Sequence, residues 1–274
     1  ILTRAGIGLN GVNLERFDKL MHVGSGVLLI AGPTGSGKSS TMSTMVRELN
    51  SEQVNLVTLE DPVEYNVDGV NQCQINEKTG MSFAEGLRAV LRQDPDIVSI
   101  GEIRDGETAS IAMRAAITGH LVLSTIHTGD AVATLDRLAD IGVEPYLIAS
   151  ALKGVVAQRL VRKICPDCRE EYEPTDEELT ALQLTRTPGM KFYRGAGCPA
   201  CFHTGYRGRM GVFEILIVDH EMHRLIASRA SREELAACSL KNGFVSLGDC
   251  CRDLVLKGTI SADEAARTIG STAD

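Results

Sequence analysis

The stretch Gly32-Pro33-Thr34-Gly35-Ser36-Gly37-Lys38-Ser39 lies between an apolar run and a helical one, and no other feature constrains the fold as much. Val27-Leu28-Leu29-Ile30 reads as a buried strand and Lys38 to Leu49 as a helix. Glycines at such a strand-to-helix turn let backbone N–H groups converge on phosphate oxygens at the helix N-terminus. The spacing G-x-x-x-x-G-K-[ST], with Ser40 next in the turn, makes Gly32 to Ser40 a phosphate cradle. In that reading Lys38 reaches the β- and γ-phosphates. The hydroxyl of Ser39 supplies the small oxygen ligand that Mg²⁺ needs one residue beyond the lysine. A glycine-rich turn that matched by chance would not bring a strand before it and a helix after it.

Strand-like and helix-like segments alternate along the following chain. Leu14, Phe17, Leu20 and Met21 stand at helical spacing, with Asn13 placed as N-cap, and predict an amphipathic lead-in helix. Val54 to Leu59 is β-rich and stops before Pro62, leaving Glu60, Asp61 and Glu64 at a strand end. Alone these carboxylates read as a solvated acidic turn. In a chain with a phosphate loop they fall where parallel sheets collect ligands. Val70 to Ile75 predicts a short strand, and Ser82 with Glu85 a capping box opening a helix through Leu91. Ile97-Val98-Ser99-Ile100-Gly101-Glu102 is an apolar strand ending on an acid, the arrangement in which a carboxylate beside the loop serves Mg²⁺ directly or through water. After a helix at 107–118, His120 to Thr128 reads as a strand whose end carries His127 beside Thr125 and Thr128, a place from which to sense the γ-phosphate or a neighbouring subunit. Asp130 caps a helix to Gly142, and Glu144-Pro145 opens another expected to run to about Val161. Alternation at this spacing predicts a largely parallel sheet within residues 1–161.

Four of the eight cysteines form two C-x-x-C pairs, Cys165/Cys168 and Cys198/Cys201, with 29 residues between the pairs. Two such knuckles complete a tetrahedral Zn²⁺ site, and four protein ligands leave no position for substrate water, so the expected role is structural. A thioredoxin-like redox pair would not explain the second pair. The zinc-binding insertion is placed at 162–206, with a short acidic helix around Asp176 to Leu182. Residues 207–274 open on a strand at 211–217 and continue as helices near 219–228, 231–241 and 244–257, with capping boxes at Ser231/Glu234 and Ser261/Glu264. Cys73, Cys238, Cys250 and Cys251 read as small buried apolar residues.

The bulk properties agree with such a chain. At 274 residues it exceeds the usual single-domain size, and 43% hydrophobic residues with 4% aromatic suit an α/β protein built on Val, Ile, Leu and Ala. The net charge of -8 argues against a nucleic-acid surface. No apolar run approaches the length of about 18 residues needed to span a bilayer, and no charged-then-apolar leader is seen, so a cytoplasmic location is expected. The sequence begins at Ile1 rather than at a methionine, which reads as part of a longer chain.

Together these residues resemble the secretion ATPases of the type II secretion and type IV pilus assembly family. The resemblance rests on Gly-Pro-Thr-Gly-Ser-Gly-Lys-Ser at 32–39, Glu-Asp-Pro-Val-Glu at 60–64, Leu-Arg-Gln-Asp-Pro-Asp through Gly-Glu-Ile-Arg-Asp at 91–105, and Thr-Gly-His-Leu-Val-Leu-Ser-Thr-Ile-His-Thr at 118–128. These are similar to the family's Walker A, aspartate box, atypical Walker B and histidine box, in that order. The resemblance implies an α/β, RecA-like P-loop core, a homo-hexameric ring, and Mg·ATP hydrolysis driving extrusion of pilin or pseudopilin subunits at an inner-membrane platform protein. It further implies location at the cytoplasmic face of the inner membrane through partners. Cys165, Cys168, Cys198 and Cys201 match the insertion of the assembly branch, which the retraction ATPases lack. By position, Glu102 serves Mg²⁺ and water, Glu64 is the base that orients the attacking water, and His127 falls on the histidine box. Gly129 stands where many relatives have a polar residue, and Ser39 where threonine is commoner. The family's nucleotide site also takes arginines from a domain upstream of Ile1, so hydrolysis by residues 1–274 alone is expected to be slow.

Two other functions share parts of this pattern. A RecA-like nucleic-acid-translocating ATPase with a zinc ribbon would want basic runs with interleaved aromatics, and only Arg159 to Lys163 and the Arg207/Arg209 region are positive. A nucleotide switch would bind ATP without releasing phosphate.

Overall fold

A computed structural model describes residues 2–271. Helices α1 (Arg4–Ile7) and α2 (Gly11–Met21) precede the first strand, β1 (Gly26–Ala31). Then follow α3 (Lys38–Leu49), β2 (Leu56–Glu60), β3 (Asn71–Gln74), α4 (Phe83–Leu91), β4 (Ile97–Ile100), α5 (Gly106–Ile117), β5 (Leu121–Ile126), α6 (Ala131–Asp140), α7 (Pro145–Ala151) and β6 (Leu152–Ile164). An insertion holds β7 (Arg169–Tyr172), α8 (Asp176–Ala181) and β8 (Phe192–Gly195). The chain returns to the sheet as β9 (Tyr206–Ile217) and ends in α9 (His220–Ala227), α10 (Arg232–Lys241), α11 (Leu247–Leu256) and α12 (Ala262–Gly270).

The main sheet has the order β3-β2-β4-β5-β1-β6-β9, parallel throughout except for β9, which pairs antiparallel with β6. This is an α/β fold with a mostly parallel sheet. β1 is buried along its whole length because both of its faces are covered. Val27, Leu29 and Ala31 pack with α4, α5, α6 and α7, whereas Leu28 and Ile30 pack with α2 and α3. The order also sets the C-terminal ends of β2, β4, β5 and β1 side by side, where α/β sheets collect ligands.

β6 differs from the sequence expectation. The helix opened by Pro145 stops at Ala151, and Leu152 to Ile164 is a strand inserted between β1 and β9 instead of a helix running to Val161. A strand covered on both faces shows no alternation of apolar and polar residues, so Val155-Val156-Ala157-Gln158-Arg159-Leu160 reads equally well at helical period. Gly154 was the available cue: a Cβ there would lie 2.5 Å from the Leu20 side chain and 3.0 Å from the Leu216 carbonyl. A glycine inside an apolar run marks close approach of this kind.

Smaller departures have local causes. Asn10, not Asn13, occupies the N-cap of α2; Asn13 lies inside the helix and donates to the Phe213 carbonyl at 2.8 Å. Ser231 and Glu234 form the full reciprocal capping box, as Thr175 and Glu178 do on α8. Ser261 caps α12 alone, because the Glu264 carboxylate turns to the Arg162 guanidinium and backbone N–H. Cys238 and Cys251 are buried, while Cys73 and Cys250 are half-buried, the Cys250 thiol donating to the Phe213 carbonyl.

The insertion shares its core with the C-terminal helices. Leu179, Leu182 and Phe192 pack with Leu247, Val255 and Ile260 over Val161 and Val212 of the sheet. Among the described residues no helix is long and apolar enough to cross a membrane.

Candidate active site and metal centre

Gly37 shows why the loop after β1 is glycine-rich. It takes φ +91°, and a Cβ there would meet the Gln158 side-chain amide at 2.9 Å. As N-cap of α3 it offers no side chain to the first-turn N–H groups, which are left to an incoming anion. Pro33, Thr34 and Gly35 form the exposed tip, Ser36 is buried, and Ser39 and Ser40 open α3 exposed to solvent. The Ser36 hydroxyl is buried without a hydrogen-bond partner.

Gln158 on β6 fixes this loop from below. Its carbonyl accepts from the Thr41 hydroxyl at 2.6 Å, and its amide donates to the Ser36 carbonyl at 2.8 Å. One buried side chain thus ties the loop to the first turn of α3. Gln158→Leu keeps the volume and orphans both partners, at about 1–3 kcal/mol for each buried group. The expected result is a lower urea midpoint at unchanged slope; an unchanged midpoint would show that the clamp contributes nothing.

The sheet order explains how Lys38, His127 and Glu102 meet. β5 runs between β1 and β4, so the residue after β5 lies between the phosphate loop and the acid that follows β4. Lys38, 8% exposed, donates to the Gly32 carbonyl at 2.6 Å and the Pro33 carbonyl at 2.9 Å, with His127 Nδ1 at 3.4 Å. His127 Nε2 lies 2.8 Å from Glu102 Oε1. A single tautomer serves both contacts, with Nδ1 accepting from the lysine and Nε2–H donating to the carboxylate. Burial lowers the Lys38 pKa; Glu102 opposes the shift and Arg159 adds to it. A phosphate arriving beside the amine would supply the missing counter-charge.

Arg104 completes the constellation. Its Nε donates to Glu102 Oε2 at 2.7 Å, and its guanidinium lies 3.8 Å from Asp61 and over the Phe83 ring. Glu64 lies exposed in the loop after β2 and, among the described residues, its side chain makes no hydrogen bond or ion pair. Glu60 is taken up by Thr58 and Gln72. The three carboxylates at 60–64 therefore do not converge. The sequence alone assigns no role at this site to Gln158, Arg104 or Arg159. Arg104 lay inside a quoted motif without a role, and the other two sit on the strand that read as helix.

At the neck of the insertion the four sulfurs of Cys165, Cys168, Cys198 and Cys201 lie within 4.8 Å of one another. Cys165–Cys198 and Cys168–Cys201 are separated by 3.9 Å and Cys198–Cys201 by 3.7 Å. Tetrahedral zinc with Zn–S of about 2.3 Å requires sulfurs about 3.8 Å apart, so the donor set fits the ion. Backbone N–H groups of Gly197, Cys198 and Gly205 point at these sulfurs, the outer-shell support that thiolate ligands use.

Known proteins share this sequence and fold. The type II secretion system ATPase E of Vibrio cholerae serotype O1 is 46% identical over 261 residues, which cover 95% of this chain and 52% of that protein. The type IV pilus assembly ATPase PilB of Thermus thermophilus is 45% identical over 258 residues, covering 93% of this chain and 29% of that protein. The chain spans about half the length of the type II secretion relatives it matches. The crystal structure of the pilus retraction motor PilT with bound ADP superposes with a TM-score of 0.73 at 29% identity, over 98% of this chain and 67% of that one. A family model described as type II/IV secretion system protein matches residues 2–267, and the chain belongs to that family.

Proposed function

We propose that this chain is the catalytic part of an ATP-hydrolysing motor for type II secretion or type IV pilus assembly. In this reading it works in a homo-hexamer at the cytoplasmic face of the inner membrane. Hydrolysis there drives extrusion of pilin or pseudopilin subunits against a platform protein. The observation that carries the reading is the contact series from Lys38 through His127 to Glu102 at the mouth of an uncapped helix. The names of the relatives and the ADP in PilT support adenine nucleotide as the ligand. The names of these relatives do not favour the nucleic-acid alternative.

Lys38 exchanges the Gly32 and Pro33 carbonyls for β- and γ-phosphate oxygens, while the N–H groups of 35–40 hold the remaining phosphate charge. Mg²⁺, when bound, neutralises charge between those phosphates; the hard oxygens of Ser39 and Glu102 are the groups that would hold it. Release of Lys38 from His127 leaves the ring oriented by Glu102 alone, with Nδ1 free to face the γ-phosphate region. Of the two candidate acids, Glu102 is the one tied to the constellation, so it takes the role of orienting the attacking water and receiving its proton. Cys165, Cys168, Cys198 and Cys201 hold zinc as a closed structural site.

Phosphate release from Mg·ATP tests the reading. Wild type should turn over, Glu102→Gln should lose about 10²-fold or more of kcat while still binding nucleotide, and Glu64→Gln should lose far less. Turnover intact in Glu102→Gln would remove Glu102 from the chemistry. An equal loss in Glu64→Gln would restore the exposed acid as the base.

A further inference from the structure

Glu214 is the sole charge in the apolar strand segment Gly211 to Ile217, and at 5% exposure it is buried. It lies on β9 opposite Ala157, on the same face as Val212 and Leu216. Its two oxygens go to two different helices. Oε1 accepts from the backbone N–H of Ala131 at 2.7 Å, and Oε2 from that of Leu247 at 2.9 Å. Ala131 is the first residue of α6 and Leu247 the first of α11. The N-caps Asp130 and Ser246 take the N–H groups of Ala133 and Asp249, so one carboxylate serves the first N–H of two positive helix ends, and among the described residues those two N–H groups have no other partner. Burial raises the Glu214 pKa; the two N–H bonds and Arg159 oppose it.

What these helices lead to gives the carboxylate its meaning. Residues 127–131 form the turn that carries His127, and it is held at several points. Arg159 donates to the Gly129 carbonyl, the Thr128 and Thr134 hydroxyls pair at 2.8 Å, and Glu214 takes the Ala131 N–H. α11 leads to the zinc insertion. Arg252 donates to the Leu182 carbonyl at 2.6 Å, and Cys251 and Val255 pack with Leu179 and Phe192. Glu214 is therefore the shared hydrogen-bond partner of the His127 turn and the helix that seats the insertion.

We infer that Glu214 is a positioning residue that couples the nucleotide site to the zinc insertion. A shift of the His127 turn when Lys38 releases the ring moves the Ala131 N–H; the carboxylate, anchored by both N–H groups, passes that shift to the start of α11. Neither helix can change its approach to β9 without reorienting the group that caps the other. The inference rests on the nucleotide reading given above.

The test is hydrogen exchange of the protein with and without Mg·ADP, alongside calorimetric nucleotide binding, in wild type, Glu214→Gln and Leu247→Pro. Glutamine has one acceptor oxygen and turns an NH2 toward the second helix, which severs one end. Proline at the first position of a helix is tolerated and deletes the N–H that meets Oε2 without touching β9. Because it also replaces the buried Leu247 side chain, Leu247→Ala, which loses the same packing but keeps that N–H, is measured beside it and should retain the response at 247–256 and 165–205. Wild type should bind Mg·ADP and change exchange both at 127–131 and at 247–256 with 165–205. Glu214→Gln and Leu247→Pro should still bind and still respond at 127–131, while the response at 247–256 and 165–205 falls to the nucleotide-free level. Binding with no wild-type response at 247–256, an undiminished response in Glu214→Gln and Leu247→Pro, or a response lost equally in Leu247→Ala, overturns the coupling. Loss of nucleotide binding in Glu214→Gln and Leu247→Pro also overturns it, since Glu214 would then shape the site itself. Failure of wild type to bind Mg·ADP removes the nucleotide reading and the coupling together.

Discussion

Lys38→Ala is expected to abolish tight nucleotide binding and to lower Mg·ATP turnover by at least about 10²- to 10³-fold, the cost of deleting one preorganised donor at a centre of developing charge. The ammonium donates to the Gly32 and Pro33 carbonyls and lies within reach of His127 Nδ1. Two charge-assisted bonds to phosphate, each worth about 1.5–3 kcal/mol, are lost in the variant. At about 1.4 kcal/mol per decade this amounts to roughly 10²- to 10⁴-fold in Kd. Stability should fall by no more than about 1–3 kcal/mol, the cost of leaving the buried Gly32 carbonyl without its donor, because the Pro33 carbonyl keeps the Ser36 N–H and the loop is still held by Gln158. The paired measurement is calorimetric titration with Mg·ADP and urea unfolding of the same samples. A Kd within a few-fold of wild type would refute the phosphate-cradle reading, whereas a collapsed urea midpoint would show that Lys38 is mainly a structural cation.

The residues of this site divide by the range of the interactions that define them. The phosphate loop, Glu102 and His127 were legible because each is announced locally, by glycine spacing or by an acid or histidine ending an apolar strand. Their meeting was not legible from spacing. It follows from β5 standing between β1 and β4, and strand order is a tertiary fact. Gln158, Arg159 and Glu214 were hidden for a related reason. Their roles depend on β6 pairing with β1 on one side and β9 on the other, and β6 is covered on both faces, so its sequence lacks the period that distinguishes a strand from a helix. Glu214 still left a trace, a lone carboxylate in an apolar strand, which is costly unless it is hydrogen-bonded. Glu64 shows the reverse case. Its motif was clear, but the loop after β2 leaves it exposed while Arg104 and His127 claim Glu102.

Removal of zinc, by chelation or by Cys168→Ser, is expected to unfold more than the loop that holds it. Apparent binding free energies of structural zinc reach about 10–16 kcal/mol at neutral pH, while whole domains are stable by about 5–15 kcal/mol, so a local unit built on the ion does not outlast it. Here the unit is larger than the cysteine-bearing segment. Cys165 follows β6 directly and its N–H donates to the Gly205 carbonyl, so the cluster staples the neck through which the chain leaves and re-enters the sheet. Above that neck, Leu179, Leu182 and Phe192 share one core with Val255 and Ile260 of the C-terminal region. Loss of the metal should therefore release protection at 165–205 and, with it, at α11 and α12. β1 and α3 draw their packing from the other two cores, through Leu29 and Ala31 on one face and Leu28, Met42 and Met45 on the other. The phosphate loop should keep its protection, and Mg·ADP should still bind. The checks are a metal assay giving about one zinc per chain under reducing conditions and hydrogen exchange before and after chelation. If the metal-free protein keeps α11, α12 and the insertion protected, the shared core alone holds them and the tetracysteine centre is not their structural support.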